Sequence, residues 1–278
     1  MLMSTLEKTK SYVPEAFWNE RYSAFDLTRS GHRDLPHAYN AWLYRRKRAV
    51  LRRALARAGV PMRGARVLEV GVGTGAYLDL WRRLGAGDVT GIDISGAAID
   101  FLRRSQRAGT FLQADVTEPG LPLDEGAFDL VAALDVLYHV VDDTRLATAM
   151  RHIARALKPG GVLAMHDQFL HRASEHHGYI RWRSLDDWQR ILQDAGFEIL
   201  DRRPIFFTMI QTNDCASPAG AARMERLWSG LRRFIDRAPG ATGAAACALD
   251  SALGAVLKEG PSMELVLARR SAAQGASP

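Results

Sequence analysis

A chain of 278 residues with 47% apolar side chains can bury a full core, which excludes a disordered or fibrous protein and leaves one large domain, alone or with appendages. Its formal charge of +6 admits an anionic partner, but the charge is spread along the chain and not gathered in a tail. The two cysteines, Cys215 and Cys247, stand far apart and outside any Cys-x-x-Cys or Cys/His cluster, so neither a disulfide framework nor a metal site is expected.

The first twelve residues carry Glu7, Lys8 and Lys10 and no apolar run. No secretory signal or anchor is therefore expected, and the protein is expected to be cytoplasmic and free of the membrane. Up to about Gly59 the chain reads as helical and rich in aromatics: Tyr12, Phe17, Trp18, Tyr22, Phe25, Tyr39, Trp42 and Tyr44. The densest cationic run, Arg45-Arg46-Lys47-Arg48 with Arg52, Arg53 and Arg57, lies among Leu43, Val50, Leu51, Leu55 and Ala58, which are spaced for one helix face. A solvated helix face is expected there, in preference to a nucleic-acid surface.

From Arg66 onward short apolar runs alternate with amphipathic stretches, the pattern of βαβ units around a parallel sheet. Strands are expected over 66–70, 88–92, 110–114, 128–134, 161–165 and 197–207, with helices over 76–84, 95–106, 144–157 and 184–195. Ser184 followed by Asp186 and Asp187 marks a helix start, and Gly196 its end. After Phe207 two helical patterns follow, one through Met224, Leu227, Leu231 and Phe234, the other through Leu249, Leu253 and Val256. A last strand is expected over 263–268. The helical pair, residues 209–260, reads as an insertion that forms part of an acceptor pocket or a subunit contact, so a homodimer is one arrangement open to the chain.

The strongest local signal is Val67-Leu68-Glu69-Val70-Gly71-Val72-Gly73-Thr74-Gly75, a buried strand feeding a glycine-rich turn. Gly71, Gly73 and Gly75 let the backbone turn sharply and let a ligand approach closer than a Cβ would permit. Gly71, Gly73 and Ala76 also satisfy the dinucleotide pattern G-x-G-x-x-G/A. Glu69 separates the two cases. A carboxylate two residues before the first glycine repels a pyrophosphate, whereas it attracts a ligand bringing an ammonium and a sulfonium; its bland alternative is a carboxylate bracing the turn. Asp93 ends the second strand, placed to accept ribose hydroxyls, and Asp115 ends the third, placed to accept from an adenine amino group.

On these residues the chain resembles the class I S-adenosylmethionine-dependent methyltransferase family, over roughly residues 66–197. Further similarity lies in Phe128-Asp129-Leu130-Val131 and in Ala156-Leu157-Lys158-Pro159-Gly160-Gly161. The resemblance implies S-adenosylmethionine as cofactor, and an α/β fold with a doubly wound, seven-stranded, mostly parallel sheet whose last strand is antiparallel. Around that core, spanning 61–278 with the insertion, an N-terminal helical lid over residues 1–60 is expected. Tyr22, Ile94, Val116 and Leu134 join the implied cofactor site.

Methyl transfer from a sulfonium requires mainly that the nucleophile be aligned, with a base useful for a hydroxyl. The stretch Leu134-Asp135-Val136-Leu137-Tyr138-His139 is similar to small-molecule and sugar O-methyltransferases. That similarity makes His139 the first candidate base, Asp167 its partner or substitute, and His166 a third. His166 and Asp167 are neighbours on a strand and so face opposite sides. His171, His176 and His177 are read as loop histidines and not as a metal site. A small-molecule O-methyltransferase is the expectation. Its rivals are a nucleic-acid methyltransferase, for which no Asn/Asp-Pro-Pro-Tyr motif is present, and a cofactor-binding protein without catalysis.

Overall fold

The computed structural model describes residues 12–22, 31–32, 34–105, 107–212, 214–215 and 217–271. The first eleven residues, on which the expectation of no leader rests, and Phe25 of the aromatic set lie outside them. Among the described residues no helix is long and apolar enough to cross a membrane.

The strands are β1 (Arg66–Val70), β2 (Asp88–Asp93), β3 (Thr110–Gln113), β4 (Phe128–Leu134), β5 (Leu157–Leu170), β6 (Glu175–His177), β7 (Ile180–Ser184), β8 (Phe197–Pro204) and β9 (Met263–Arg270). Seven of them run side by side in the order β3-β2-β1-β4-β5-β9-β8, with β9 antiparallel to both neighbours. This is the doubly wound α/β sheet expected. Side chains alternate across it. Val67, Leu130, Ala132, Ala164 and Leu267 pack on one face, and Leu68, Val131, Ala133, Met165 and Val266 on the other.

The helices are α1 (Pro14–Tyr22), α2 (His37–Arg57), α3 (Leu78–Leu84), α4 (Gly96–Arg104), α5 (Asp143–Ala156), α6 (Leu185–Asp194), α7 (Pro218–Arg237) and α8 (Pro239–Val256). Helices α2, α3 and α4 cover the first face, and α5 and α6 the second. The start of α6 is capped as its sequence indicates, Ser184 Oγ accepting from the Asp187 N–H at 3.1 Å.

Two features depart from the expectations. Residues 175–184 form a hairpin, β6 with β7, that extends the far end of β5. The run Glu175-His176-His177 and its partner Ile180-Arg181-Trp182 are partly or fully exposed, and the histidines read there as loop residues sit on or beside a strand, although Ile180-Arg181-Trp182-Arg183 alternates as a strand does. The cationic run on α2 is not one solvated face either. Arg45, Arg52, Arg53 and Arg57 are exposed, but Arg46 is buried, donating to the Ile205 and Asp250 carbonyls at 2.9 and 2.8 Å. Lys47 and Arg48 are drawn inward by Asp135 and by the Ala76 carbonyl.

The insertion packs on α2 through α8. Gly243 lies so close that a Cβ there would meet Trp42 Cδ1 at 2.6 Å. Asp250 anchors it to the segment that follows β8 by accepting from the Phe207 and Thr208 N–H groups, both at 2.9 Å. Leu227, Phe234, Leu249 and Val256 stay exposed.

Candidate active site

A cleft opens where β1, β2 and β4 end, the point at which the strand order reverses and open α/β sheets bind ligands. Its volume is about 230 Å³, and it is open to solvent at its mouth. Tyr22, Gly71, Asp93, Ile94, Asp115, Val116 and His139 all line it, so one wall collects most of the residues singled out from the sequence.

The glycine turn is built as its sequence requires. Gly71, Gly73 and Gly75 have φ of +71°, +51° and +80°, values that burden any residue with a Cβ. A Cβ on Gly71 would meet Val136 at 2.7 Å, and one on Gly73 would meet Tyr22 Oη at 2.9 Å. Gly75 does not face the cleft; its missing Cβ makes room for Leu78 and Leu102. The Gly73 N–H donates to Asp93 Oδ2 and the Ser95 N–H to Asp93 Oδ1, each at 2.8 Å. Burial nevertheless pushes the Asp93 carboxyl up to about 6, outweighing those two amides.

Asp115 stands at the cleft's rim. Its Oδ1 accepts from Thr117 N and Oγ1 at 2.8 and 2.7 Å, and its Oδ2 from Arg145 at 2.8 Å. Over the opening lies α1. Trp18 and Tyr22 stack with ring centroids 5.7 Å apart, and Trp18 meets His139 edge-on at 4.8 Å. Asn19 Oδ1 accepts from Ser95 Oγ at 2.9 Å and from the Ala97 N–H at 3.2 Å, while Glu15 accepts from Gln113 at 3.0 Å.

His139 contributes an imidazole whose Nδ1 lies 3.0 Å from the Tyr179 carbonyl oxygen. A carbonyl only accepts, so Nδ1 carries the proton and Nε2 keeps its lone pair. Burial pulls this ring down to about 4 despite the carbonyl, which favours the charged form. Tyr179, which aligns it, sits in the β6–β7 turn. Its role had no signal in the sequence because it acts through a backbone carbonyl, which every residue carries.

Four candidates sit elsewhere than expected. Glu69 shares the face of Val67, and there Trp81 of α3 donates to its Oε2 at 2.7 Å. It lies beneath the turn, off the cleft wall. Leu134 is core. His166 and Asp167 are completely buried, on opposite faces as alternation requires. Asp167 accepts from the Gln168 N–H at 2.7 Å, and burial pushes it well above the usual carboxylate range. It does not share the cleft with His139, because its face of β5 is roofed by Phe169 and Trp188.

The residues that sequence reasoning passed over are Asp135, at the cleft's inner end, and Lys47. Asp135 has φ +64°, and its Oδ2 accepts from Lys47 Nζ at 2.7 Å. None of the described residues of the insertion, 209–260, lines the cleft, so they do not form the acceptor pocket there; α8 holds it against α2 instead.

The place of Glu69 yields a prediction. Burial raises its carboxyl from 4.5 to about 8, opposed by the Trp81 bond. The folded protein therefore keeps a proton that the unfolded chain sheds above 4.5, and stability falls as pH climbs from there through about 8. A glutamine accepts from Trp81 without ionising. Glu69→Gln is expected to raise the melting temperature at pH 8 by several degrees, with the gain vanishing toward pH 4.5, as thermal scans across pH would show. A variant less stable at every pH would mean that the carboxylate holds another partner.

The sequence profile described as a methyltransferase domain matches residues 68–165. The chain is 34% identical over 141 residues to a malonyl acyl-carrier-protein O-methyltransferase of Enterobacter lignolyticus, a match covering 50% of this chain and 52% of that protein. It is 31% identical over 156 residues to an O-methyltransferase of Aspergillus nomiae, covering 50% and 67%. The chain thus spans about half to two thirds of the length of these relatives. In fold it is similar to the magnesium protoporphyrin IX methyltransferase of Synechocystis solved with bound S-adenosylhomocysteine. The TM-score is 0.56 at 14% identity, over 92% of this chain and 98% of that one, which speaks for the architecture alone. The glycine turn, the acids ending β2 and β3, and these matches together make the chain a member of the S-adenosylmethionine-dependent methyltransferase family.

Proposed function

We propose that this protein methylates an oxygen of a small molecule held beneath α1, with His139 as the base. The observation that carries this reading is the imidazole on the cleft wall, its Nδ1–H fixed on the Tyr179 carbonyl and its Nε2 free to accept a proton. The residues present suit the cofactor: Gly71, at positive φ and without a Cβ, borders the cleft, and Asp93 presents a carboxylate at the end of β2. Gly71 and Gly73 would admit it, Asp93 would accept from its ribose, and Asp115, Ile94 and Val116 would face its adenine. Once bound, S-adenosylmethionine supplies a methyl group already activated on a sulfonium. His139 takes the acceptor's proton, and Trp18 and Tyr22 exclude water. That both relatives above are named O-methyltransferases supports oxygen as the methylated atom. The inward turn of Arg46, Lys47 and Arg48 leaves less cationic surface for a nucleic acid and favours the small molecule.

Two measurements test this. S-adenosylmethionine or S-adenosylhomocysteine is expected to raise the melting temperature while NAD does not, because a ligand of the native state alone stabilises it. Equal stabilisation by NAD would contradict the assigned cofactor. Mass spectrometry of hydroxylated metabolites and of RNA, each incubated with protein and methyl-labelled cofactor, should place the label on a hydroxyl oxygen of a small molecule. Label found on RNA alone would reverse the substrate class.

A further inference from the structure

At its inner end the cleft meets Asp135, behind which lie buried polar groups that the reaction above does not use. Asp135 follows β4 directly and lines the cleft. It is the one residue other than glycine with positive φ among those described, a conformation retained only where the surroundings impose it and often where a ligand is handled. Its Oδ2 accepts from Lys47, whose ammonium has been brought from α2 into a nearly buried position, 12% exposed. Tyr77 Oη stands 3.4 Å from the same oxygen. Asp135 Oδ1 is buried with no hydrogen-bond partner.

Facing it, 3.7 Å away, is Nδ1 of the completely buried His166. That gap is too long for a hydrogen bond, and both ring nitrogens of His166 lack a partner. Buried polar atoms left in this way each forfeit about 1–3 kcal/mol. Three such atoms next to a substrate cleft mark a place where something else completes the bonding.

The chemistry of the cluster limits what that is. Lys47 and Asp135 compensate each other's charge. Burial favours the neutral form of His166, although Asp135 opposes this, and the net direction is down. Asp135 stays ionised despite its burial, held low chiefly by the Lys47 ammonium. The subsite therefore has no net charge to offer an ion. It presents a carboxylate oxygen that only accepts and an imidazole that both donates and accepts. A hydroxyl donates to the first while accepting from the second; an ether or a methylated oxygen has no proton for Asp135.

Building on the methyl-transfer reading above, we infer that Asp135 and His166, held in place by Lys47, form a recognition subsite for a second hydroxyl of the acceptor, next to the one that is methylated. The substrate class is then a vicinal diol, aromatic or alicyclic. Asp135 and His166 determine specificity, and Lys47 is a positioning residue that fixes the carboxylate. A product already methylated on the recognised oxygen would lose its bond to Asp135 and would be rejected, because a site built to bond a hydroxyl discriminates strongly against an analogue lacking it.

The test is calorimetric titration of the protein loaded with S-adenosylhomocysteine, using catechol against phenol and vicinal cyclohexanediol against cyclohexanol. At least one diol is expected to bind about tenfold or more tightly than its mono-hydroxyl counterpart, the scale of one lost bond to a charged group. Asp135→Asn and His166→Phe should each bring that ratio near one. Lys47→Met should reduce it partially, as expected of a residue acting through Asp135. The melting shift given by S-adenosylhomocysteine shows whether each variant is folded, and a parent ratio near one in both pairs overturns the inference without any variant. A ratio that survives in folded Asp135→Asn and His166→Phe overturns it too, and means that buried water completes the cluster. Failure of label transfer with the diol preference intact would instead strike at the methyl-transfer reading alone.

Discussion

Replacing His139 with alanine is expected to lower methyl transfer to a hydroxyl acceptor by ~10²–10⁴-fold, the usual scale for loss of a general base. Cofactor affinity should be largely retained, because the imidazole packs beside Trp18 and Tyr179 and bonds the Tyr179 carbonyl, not Asp93 or the glycine turn, whose own bonds are to each other. The pH dependence adds an independent check. Only neutral imidazole accepts a proton, so the rate rises as pH climbs through the ring's ionisation and is flat above it. Burial has moved that ionisation down to about 4, so in the free enzyme the plateau should already be reached near pH 5, well below the range of an ordinary histidine. Single-turnover rates across pH would show this. A rise centred near 6.5 would indicate that the ring is solvated during the reaction. Undiminished turnover in His139→Ala would leave alignment alone as the source of catalysis.

Loss of Asp93 should act on the other half of the site. Asp93→Ala is expected to weaken S-adenosylmethionine binding by about 1.5–3 kcal/mol, the scale for hydrogen bonds to a charged group, with kcat less affected than Kd. The same carboxylate braces the turn by accepting from the Gly73 and Ser95 amides, so part of the loss is a loosened cradle. Gly73→Val should be more severe. Its Cβ would meet Tyr22 Oη at 2.9 Å on a backbone at φ +51°, closing the turn from the inside. Because burial holds Asp93 up at about 6, affinity in the parent should fall as pH drops through that value, when the acid gains a proton and loses acceptor capacity. Calorimetric titration at several pH values would read all three effects. Unchanged affinity in folded Asp93→Ala would remove this residue from the cofactor site.

The part of this site that was legible beforehand is the part encoded locally. The turn at Gly71 to Gly75 follows a strand in an unbroken nine-residue stretch, and Asp93 and Asp115 mark their positions by ending apolar runs. What escaped was assembled from distant segments. Lys47 looks like any member of a cationic helix until the fold sets it against Asp135, which captures it. Tyr179 orients His139 through its backbone carbonyl, which no side-chain pattern reports. Glu69 and Asp167 were misdirected by one shared cause. Chemistry suggested that each should face a ligand, whereas the pleat assigns side chains by parity along the strand, and parity turned Glu69 to Trp81 and Asp167 to the far core.

The manner in which α1 is fastened has a kinetic meaning. None of its residues is fully buried, and it is held down by Asn19 on the start of α4 and Glu15 on Gln113, bonds worth about 0.5–1.5 kcal/mol apiece in net terms. A gate fastened so lightly swings without disturbing the sheet beneath, so spent cofactor escapes by a local opening and the core stays folded. Yet Trp18 and Tyr22 close over the same doorway, and their ring contacts must part on every cycle. The ceiling on turnover is then the residence time of the demethylated cofactor, and the first equivalent of product should appear in a burst ahead of the steady rate.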